Sequence, residues 1–271
     1  RYLSTNGWEC TSRIIAPKIL NLTYRKDGAS IRLVDTYNYY PMALKALGDM
    51  VGLEKYDFPN DQDGPEDWDT YCRRDVEIMV AAMQLWWKRV TDWELGNFAV
   101  TLASQCMNAY RHRFMKQPIF IDSNERAAAL GRRAYMGGRT EAFHIGRIPT
   151  KVYCLDINSM YPYIMAHHAV PYRLATTTTR VTPEELPALM SHYDVVADVD
   201  VEVTEPCLPI RLEGRTTWPV GRFTAALTTP ELSYALERGM IQGVKYAALY
   251  HRAVIFKDYV EFFYEERLKA R

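Results

Sequence analysis

Asp156-Ile157-Asn158-Ser159-Met160-Tyr161-Pro162 is the stretch on which the reading of this chain turns. An apolar run, Lys151-Val152-Tyr153-Cys154-Leu155, leads into it and predicts a strand that ends on the Asp156 carboxylate. A carboxylate at a strand end can ligate a divalent cation without distorting the sheet. The turn that follows carries a hydroxyl, then an aromatic held by Pro162 and suited to form one wall of a pocket. Spacing alone leaves a second reading open, in which Asp156 only caps the next helix.

Upstream, Tyr135-Met136-Gly137-Gly138 runs into Arg139-Thr140-Glu141-Ala142-Phe143. Adjacent glycines allow a phosphate close to the backbone, and Arg132, Arg133 and Arg139 flank them. Further back, a helix is predicted from Asp69 or Thr70 to about Trp93. Tyr71 and Asp75 lie four residues apart on it, so both can address one metal-bound water. Other expected elements are a strand over 31–35, a helix over 41–50 with Pro41 at its start, and an acidic loop over 60–69. Helices follow over 95–115 and, capped by Ser123, over 124–134. Downstream, residues 195–203 alternate Val with Asp or Glu, a strand with one wet face. Thr229-Pro230-Glu231 opens a helix that stops at Gly239, residues 244–251 read as a strand, and residues 256–271 as a final helix. The fold class is mixed α and β.

The chain has 271 residues, 48% of them apolar, with 33 Lys plus Arg against 33 Asp plus Glu. That much apolar material excludes a mainly disordered chain, and the zero balance excludes a uniformly basic nucleic-acid binder. The balance hides two patches. Residues 54–77 hold nine acids and three bases, and residues 111–151 hold nine bases and three acids. No apolar run reaches the length of a membrane span. Five scattered cysteines without a CxxC pair argue against a disulfide framework and a thiolate zinc site, and fit a reducing, cytoplasmic compartment. None of the six histidines has a metal-ligand spacing.

The heptapeptide at Asp156 resembles motif A, DxxSLYP, of family B DNA polymerases, with Met160 for Leu. Tyr135 to Gly138 is similar to their YxGG motif, and Tyr71-Cys72-Arg73-Arg74-Asp75 to the YxxxD form of the third motif of 3′–5′ exonucleases. Lys55-Tyr56-Asp57-Phe58 looks like the Kx2h element of the protein-primed members, which serve bacteriophages, adenoviruses and linear plasmids. The order along the chain is that of the family.

The resemblance implies that Asp156 ligates the catalytic Mg²⁺ or Mn²⁺ ions, two per site in a complete enzyme, with the Ile157 carbonyl completing one site. Tyr161 would exclude a ribose 2′-hydroxyl, Arg267 would contact the triphosphate of the incoming dNTP, and Ser159 would contact template. Tyr135, Gly137, Gly138 and Arg139 would guide single-stranded template. Asp75 would hold a metal for hydrolysis, with Tyr71 orienting water and Lys55 assisting. Residues 1–100 would be the C-terminal part of a ribonuclease-H-like exonuclease domain, 101–150 a connector with the YxGG loop, and 151–170 the start of the palm. Residues 171–253 would be an insertion contacting a terminal (priming) protein, and 254–271 a helix leading toward the fingers. Partners would be primer-template DNA and dNTPs.

No Asp-Thr-Asp of motif C, no motif B and no acidic DxE before Asp35 is present. Each two-metal site therefore has one recognised carboxylate. The expectation is an internal slice of a longer polymerase, inactive alone. Two other functions compete with it: a non-enzymatic module binding single-stranded nucleic acid through its basic middle, and a stand-alone 3′–5′ exonuclease.

Overall fold

The computed structural model describes residues 2–16, 19–60 and 64–270. The chain divides into two compact units, residues 1–115 and 116–271. The division falls inside the segment expected as a connector. Its first helix belongs to the first unit and its YxGG loop to the second.

In the first unit, a short helix α1 (Tyr2–Thr5) precedes an antiparallel meander of β1 (Glu9–Ala16), β2 (Ile19–Lys26) and β3 (Ala29–Val34). The first two strands are not foreseen from the sequence. Two buried positions of β2 are Asn21 and Thr23, so no apolar alternation announces it. After β3, Asp35 accepts the Tyr37 amide at 2.9 Å and caps a 3-10 turn over Thr36–Asn38. That turn delivers Tyr39 and Tyr40 to the core, where their hydroxyls donate to the carbonyls of Ala99 (2.9 Å) and Ala82 (3.1 Å). Around them pack Leu47 of α2 (Leu44–Val51) and Ile78, Ala82 and Trp86 of α3 (Pro65–Asp92).

Three boundaries differ from expectation. Pro41 lies ahead of α2, whose cap is Ala43. Helix α3 begins at Pro65, not after Asp69, because Pro at the first position and Glu66 and Asp67 in the first turn favour a helix start. Those acids read as loop in the sequence. The next helix, α4 (Leu102–Ala109), is capped by Thr101 and runs on as a π-turn over Tyr110–Phe114. It does not begin at Leu95 because Glu94 and Gly96 adopt left-handed conformations (φ 52° and 77°). Buried Gln105 holds that bend, donating to the carbonyls of Leu95 and Asn97 and accepting the Ala99 amide.

In the second unit, α5 (Glu125–Ala134) is capped by Asn124, one residue beyond the expected Ser123. The Asn124 side chain accepts the Ala127 amide at 3.0 Å. Then come α6 (Met160–His167), β4 (Val170–Thr178), α7 (Leu186–His192), β5 (Asp194–Val203), a hairpin of β6 (Ile210–Leu212) and β7 (Arg215–Thr217), β8 (Gly221–Thr228), α8 (Thr229–Glu237), β9 (Ile241–Ala253) and α9 (Lys257–Lys269). Strands β4, β9, β5 and β8 form one antiparallel sheet in that order. Val195, Ala197, Val199, Val201 and Val203 turn one face of β5 into the main core, closed by Leu186 of α7 and Leu232 of α8. The opposite face, expected to be wet, is partly covered. Ala127, Leu130 and Ala134 of α5 pack there on Ala226, Tyr246 and Ala248, and Arg133 pairs with Asp198 at 2.8 Å.

The strand expected over 151–156 does not form. A strand needs a ladder partner, and among the described residues none pairs with this segment, which leaves Val152, Tyr153 and Leu155 exposed. Among the described residues no helix is long and apolar enough to cross a membrane.

Candidate functional site

In the first unit the structure brings Lys55, Tyr71 and Asp75 together. Tyr71 and Asp75 project from one side of α3, one turn apart. Lys55 comes from the extended segment after α2 and lays its ammonium between them, 2.6 Å from the Tyr71 hydroxyl and 3.0 Å from Asp75 Oδ1. Both charged side chains are about one-fifth exposed, so solvent screens them less than a surface pair. Burial lowers the Lys55 pKa, but the hydrogen bonds to Tyr71 and Asp75 outweigh it and hold the ammonium above the ordinary lysine range. Phe58 and Trp68 stack edge-on around the Tyr71 ring and wall the cluster on its apolar side. Phe58 is the apolar residue of the stretch that resembles the Kx2h element, but the wall it forms with Trp68 was not singled out from the sequence. The neighbouring Arg74–Tyr56 hydrogen bond, at 2.6 Å, was not singled out from the sequence.

In the second unit Asp156 stands on an exposed irregular segment and makes no ion pair among the described residues. The turn after it is closed by the Met160 amide donating to the Ile157 carbonyl at 3.3 Å. Ser159 sits at the start of α6 in a left-handed conformation (φ 56°), a strained one for a residue with a Cβ. Its hydroxyl does not cap the helix. It accepts instead from Arg267 Nη1 of α9 at 3.3 Å, across 108 positions of sequence. Helices α6 and α9 thus meet at this turn, with a cavity of about 320 Å³ beside it. Ser159, Tyr163, His167, Glu261 and Tyr264 line that cavity, and of these only Ser159 stood out in the sequence as a site residue. Tyr161 is exposed.

The YxGG residues lie on a separate exposed loop at the end of α5. The Tyr135 carbonyl accepts from Arg211 at 3.2 Å while its ring points to solvent. Gly137 and Gly138 have ordinary backbone angles, and a Cβ on either would meet nothing within 4 Å. The fold of this chain therefore does not require glycine at either place. Arg139 donates to Glu141 (2.7 Å) and to the Pro206 carbonyl (2.7 Å) and lies over Trp218.

No cluster of three or more His, Cys, Asp or Glu side chains that could hold a metal ion occurs among the described residues. Asp75 has a lysine, not a second carboxylate, beside it, and Asp156 stands alone. These residues do not by themselves make up a two-ion centre.

Residues 53–271 match the family model for DNA polymerase type B, organellar and viral. Among solved structures the chain is similar to Phi29 DNA polymerase in its orthorhombic crystal form, at 16% identity and a TM-score of 0.63, covering 97% of this chain and 52% of that one. It is similar to the same polymerase complexed with primer-template DNA (16%, TM-score 0.60, 97% and 52%) and complexed with single-stranded DNA (16%, TM-score 0.61, 95% and 48%). The chain thus spans about half the length of the structures it resembles, and at this identity the likeness is one of fold. No curated protein matches it. The match over residues 53–271 decides the family: the chain belongs to the type B DNA polymerases of organellar and viral kind.

Proposed function

We propose that the chain works as part of a DNA-directed DNA polymerase of the protein-primed type, which extends a primer with dNTPs and proofreads 3′ to 5′. The observation that carries this reading is the Arg267–Ser159 contact, which sets a permanent cation on the turn that carries Asp156. A carboxylate, a hydroxyl and an exposed aromatic on one turn, with a guanidinium brought to it from α9, suit a nucleotide whose triphosphate is anionic. In this reading Arg267 binds the triphosphate, Tyr161 closes on the sugar, and Ser159 meets template. Asp156 supplies one carboxylate toward Mg²⁺ or Mn²⁺. A pair of such ions would stabilise the attacking and leaving oxygens of phosphoryl transfer, and holding a pair requires donors besides Asp156.

The first unit is assigned to proofreading as the C-terminal part of a ribonuclease-H-like domain. Lys55 donates to the Tyr71 oxygen, which leaves the phenol proton free to orient a water. Asp75 holds Lys55 in place and supplies a second anionic oxygen. The loop of Tyr135, Gly137, Gly138 and Arg139 guides template, and residues 171–253 meet a terminal protein. The parent would replicate a virus or linear plasmid.

The test uses the full gene product and the 271-residue chain side by side. Asp156→Ala in the full product should abolish dNTP incorporation while single-stranded DNA binding persists. The 271-residue chain with Mg²⁺ and dNTPs should not extend a primer. Extension by that chain would overturn the single-carboxylate reading. Incorporation that survives Asp156→Ala would remove the polymerase assignment of this turn and leave a DNA-binding module.

A further inference from the structure

We propose that the hairpin arm of residues 206–218 fastens the YxGG loop, and that Arg139 and Arg211 are positioning residues for a template strand rather than contacts to it. This rests on the reading of that loop as the template guide. From Tyr135 to Ile157 the chain forms neither helix nor strand. The loop also carries two adjacent glycines, with open space where a Cβ of either would stand. Glycines lose the most conformational freedom when they are ordered. A loop of this composition would hold a strand weakly unless something ordered it beforehand.

Two arginines supply that order, and they reach in opposite directions. Arg139, on the loop, donates Nη1 to the Pro206 carbonyl at 2.7 Å. Arg211, on β6, donates Nη2 to the Tyr135 carbonyl at 3.2 Å. The two ties fall at positions 135 and 139 and so bracket Gly137 and Gly138. The arm to which they fasten is itself fixed. Leu208 lies in the main core at 1% exposure, and Cys207 and Ile210 pack against that core. The Glu205 carboxylate accepts the Tyr234 hydroxyl at 2.9 Å. Beyond this root, Leu212 and Arg215 pair across a two-residue turn whose Glu213 and Gly214 are both left-handed (φ 50° and 78°), which makes the hairpin tight.

The Arg139 guanidinium has little left to offer a phosphate. Its Nε donates to Glu141 at 2.7 Å, and that carboxylate balances its charge. Its face lies over the Trp218 ring, 5.0 Å from the centroid. A cation held on three sides by its own chain acts as a tie. The arm thereby has a task inside this chain, apart from any outside partner of residues 171–253.

Fluorescence anisotropy of a labelled oligothymidylate with the 271-residue chain, over a range of salt concentrations, tests the proposal. Arg139→Gln and Arg211→Gln should each weaken binding about two- to tenfold, the equivalent of one hydrogen bond. The slope of affinity against salt should stay as it is, because neither residue touches a phosphate; a lost phosphate contact would flatten it by about 0.7. Arg211→Lys keeps a donor and should recover most of the loss. Arg215→Gln, at an exposed arginine of the same hairpin, removes the same charge and should leave binding unchanged. Trp218 is the one tryptophan of residues 116–271. Its indole resonance in isotope-labelled chain, identified by its loss in Trp218→Leu, should move in Arg139→Gln. A flattened salt slope, an unmoved indole, a melting temperature that falls while affinity holds, or equal weakening by Arg215→Gln would overturn the proposal. Tyr135→Ala separates it from the reading of the loop. Weakening by Tyr135→Ala with none by Arg139→Gln or Arg211→Gln would remove the ties alone. No binding, or binding indifferent to Tyr135→Ala, would remove the template role of the loop and the ties with it.

Discussion

Gly48→Ala should destabilise the first unit, although the same change in most helices stabilises. Gly48 lies inside α2 with ordinary helical angles, where replacing Gly by Ala gains about 1 kcal/mol. Here the added Cβ would sit 2.4 Å from the Leu53 carbonyl oxygen and 3.1 Å from Ile78 Cδ1. The obstacle is backbone, so the Leu53 peptide must retreat from 2.4 Å to at least 3.0 Å. That peptide is tied to the helix end, because the Leu53 amide donates to the Gly48 carbonyl at 2.9 Å and Gly52 closes the turn at φ 74°. Overpacking of this kind costs about 1–3 kcal/mol, and straining the closing hydrogen bond adds about 1 kcal/mol. Set against the propensity gain, the net is a loss of about 1–3 kcal/mol. Five of the six tryptophans (8, 68, 86, 87 and 93) lie in the first unit, so urea unfolding followed by tryptophan fluorescence reports on it. The control is Gly131→Ala in α5, where a Cβ meets nothing within 4 Å, and circular dichroism should show a gain of about 0.5–1 kcal/mol. If both variants stabilise, the close approach at Leu53 is wrong. The shift should also reach Lys55, two residues on, and loosen its hold on Tyr71 and Asp75.

Lys55→Met should cost about 2 kcal/mol by leaving Asp75 without its cation. Because the folded-state pKa of Lys55 is raised, its contribution is complete below the ordinary lysine value and lost as pH climbs through the raised one. The melting temperatures of wild type and variant should therefore differ at pH 7 and converge in strong alkali; a constant difference would sink the ion-pair account. Leu232→Ala, at a position fully buried beneath the main sheet, should cost about 2–5 kcal/mol in urea unfolding. A loss under about 1 kcal/mol would mean that the site is not packed as described.

How much of this was legible in the sequence depended on where burial imposed a pattern. Strand β5 was readable because every second residue is buried valine or alanine. The pairing of Tyr71 with Asp75 followed from helical spacing, and Lys55 joined them through its motif. Strands β1 and β2 were invisible because the buried positions described in them, Asn21 and Thr23 of β2, are polar. The run 151–156 misled for the opposite reason: it has strand-like residues but no partner to pair with among the described residues. The contact between Ser159 and Arg267 joins positions 108 residues apart, which spacing cannot foresee. Nor could the cavity at the start of α5 be read, since its residues come from three separate elements.

The order of the main sheet leaves β4 and β8 on its edges. An open edge invites another strand to pair, which is the usual route to aggregates. Strand β4 is poorly suited to that. It carries Pro171, and its register slips twice, between Pro171 and Arg173 and again between Leu174 and Thr176. A proline withholds one donor, and each bulge turns the strand away from a flat template. A second copy would have to reproduce both slips to zip along it. These irregularities guard the β4 edge of the sheet against self-association.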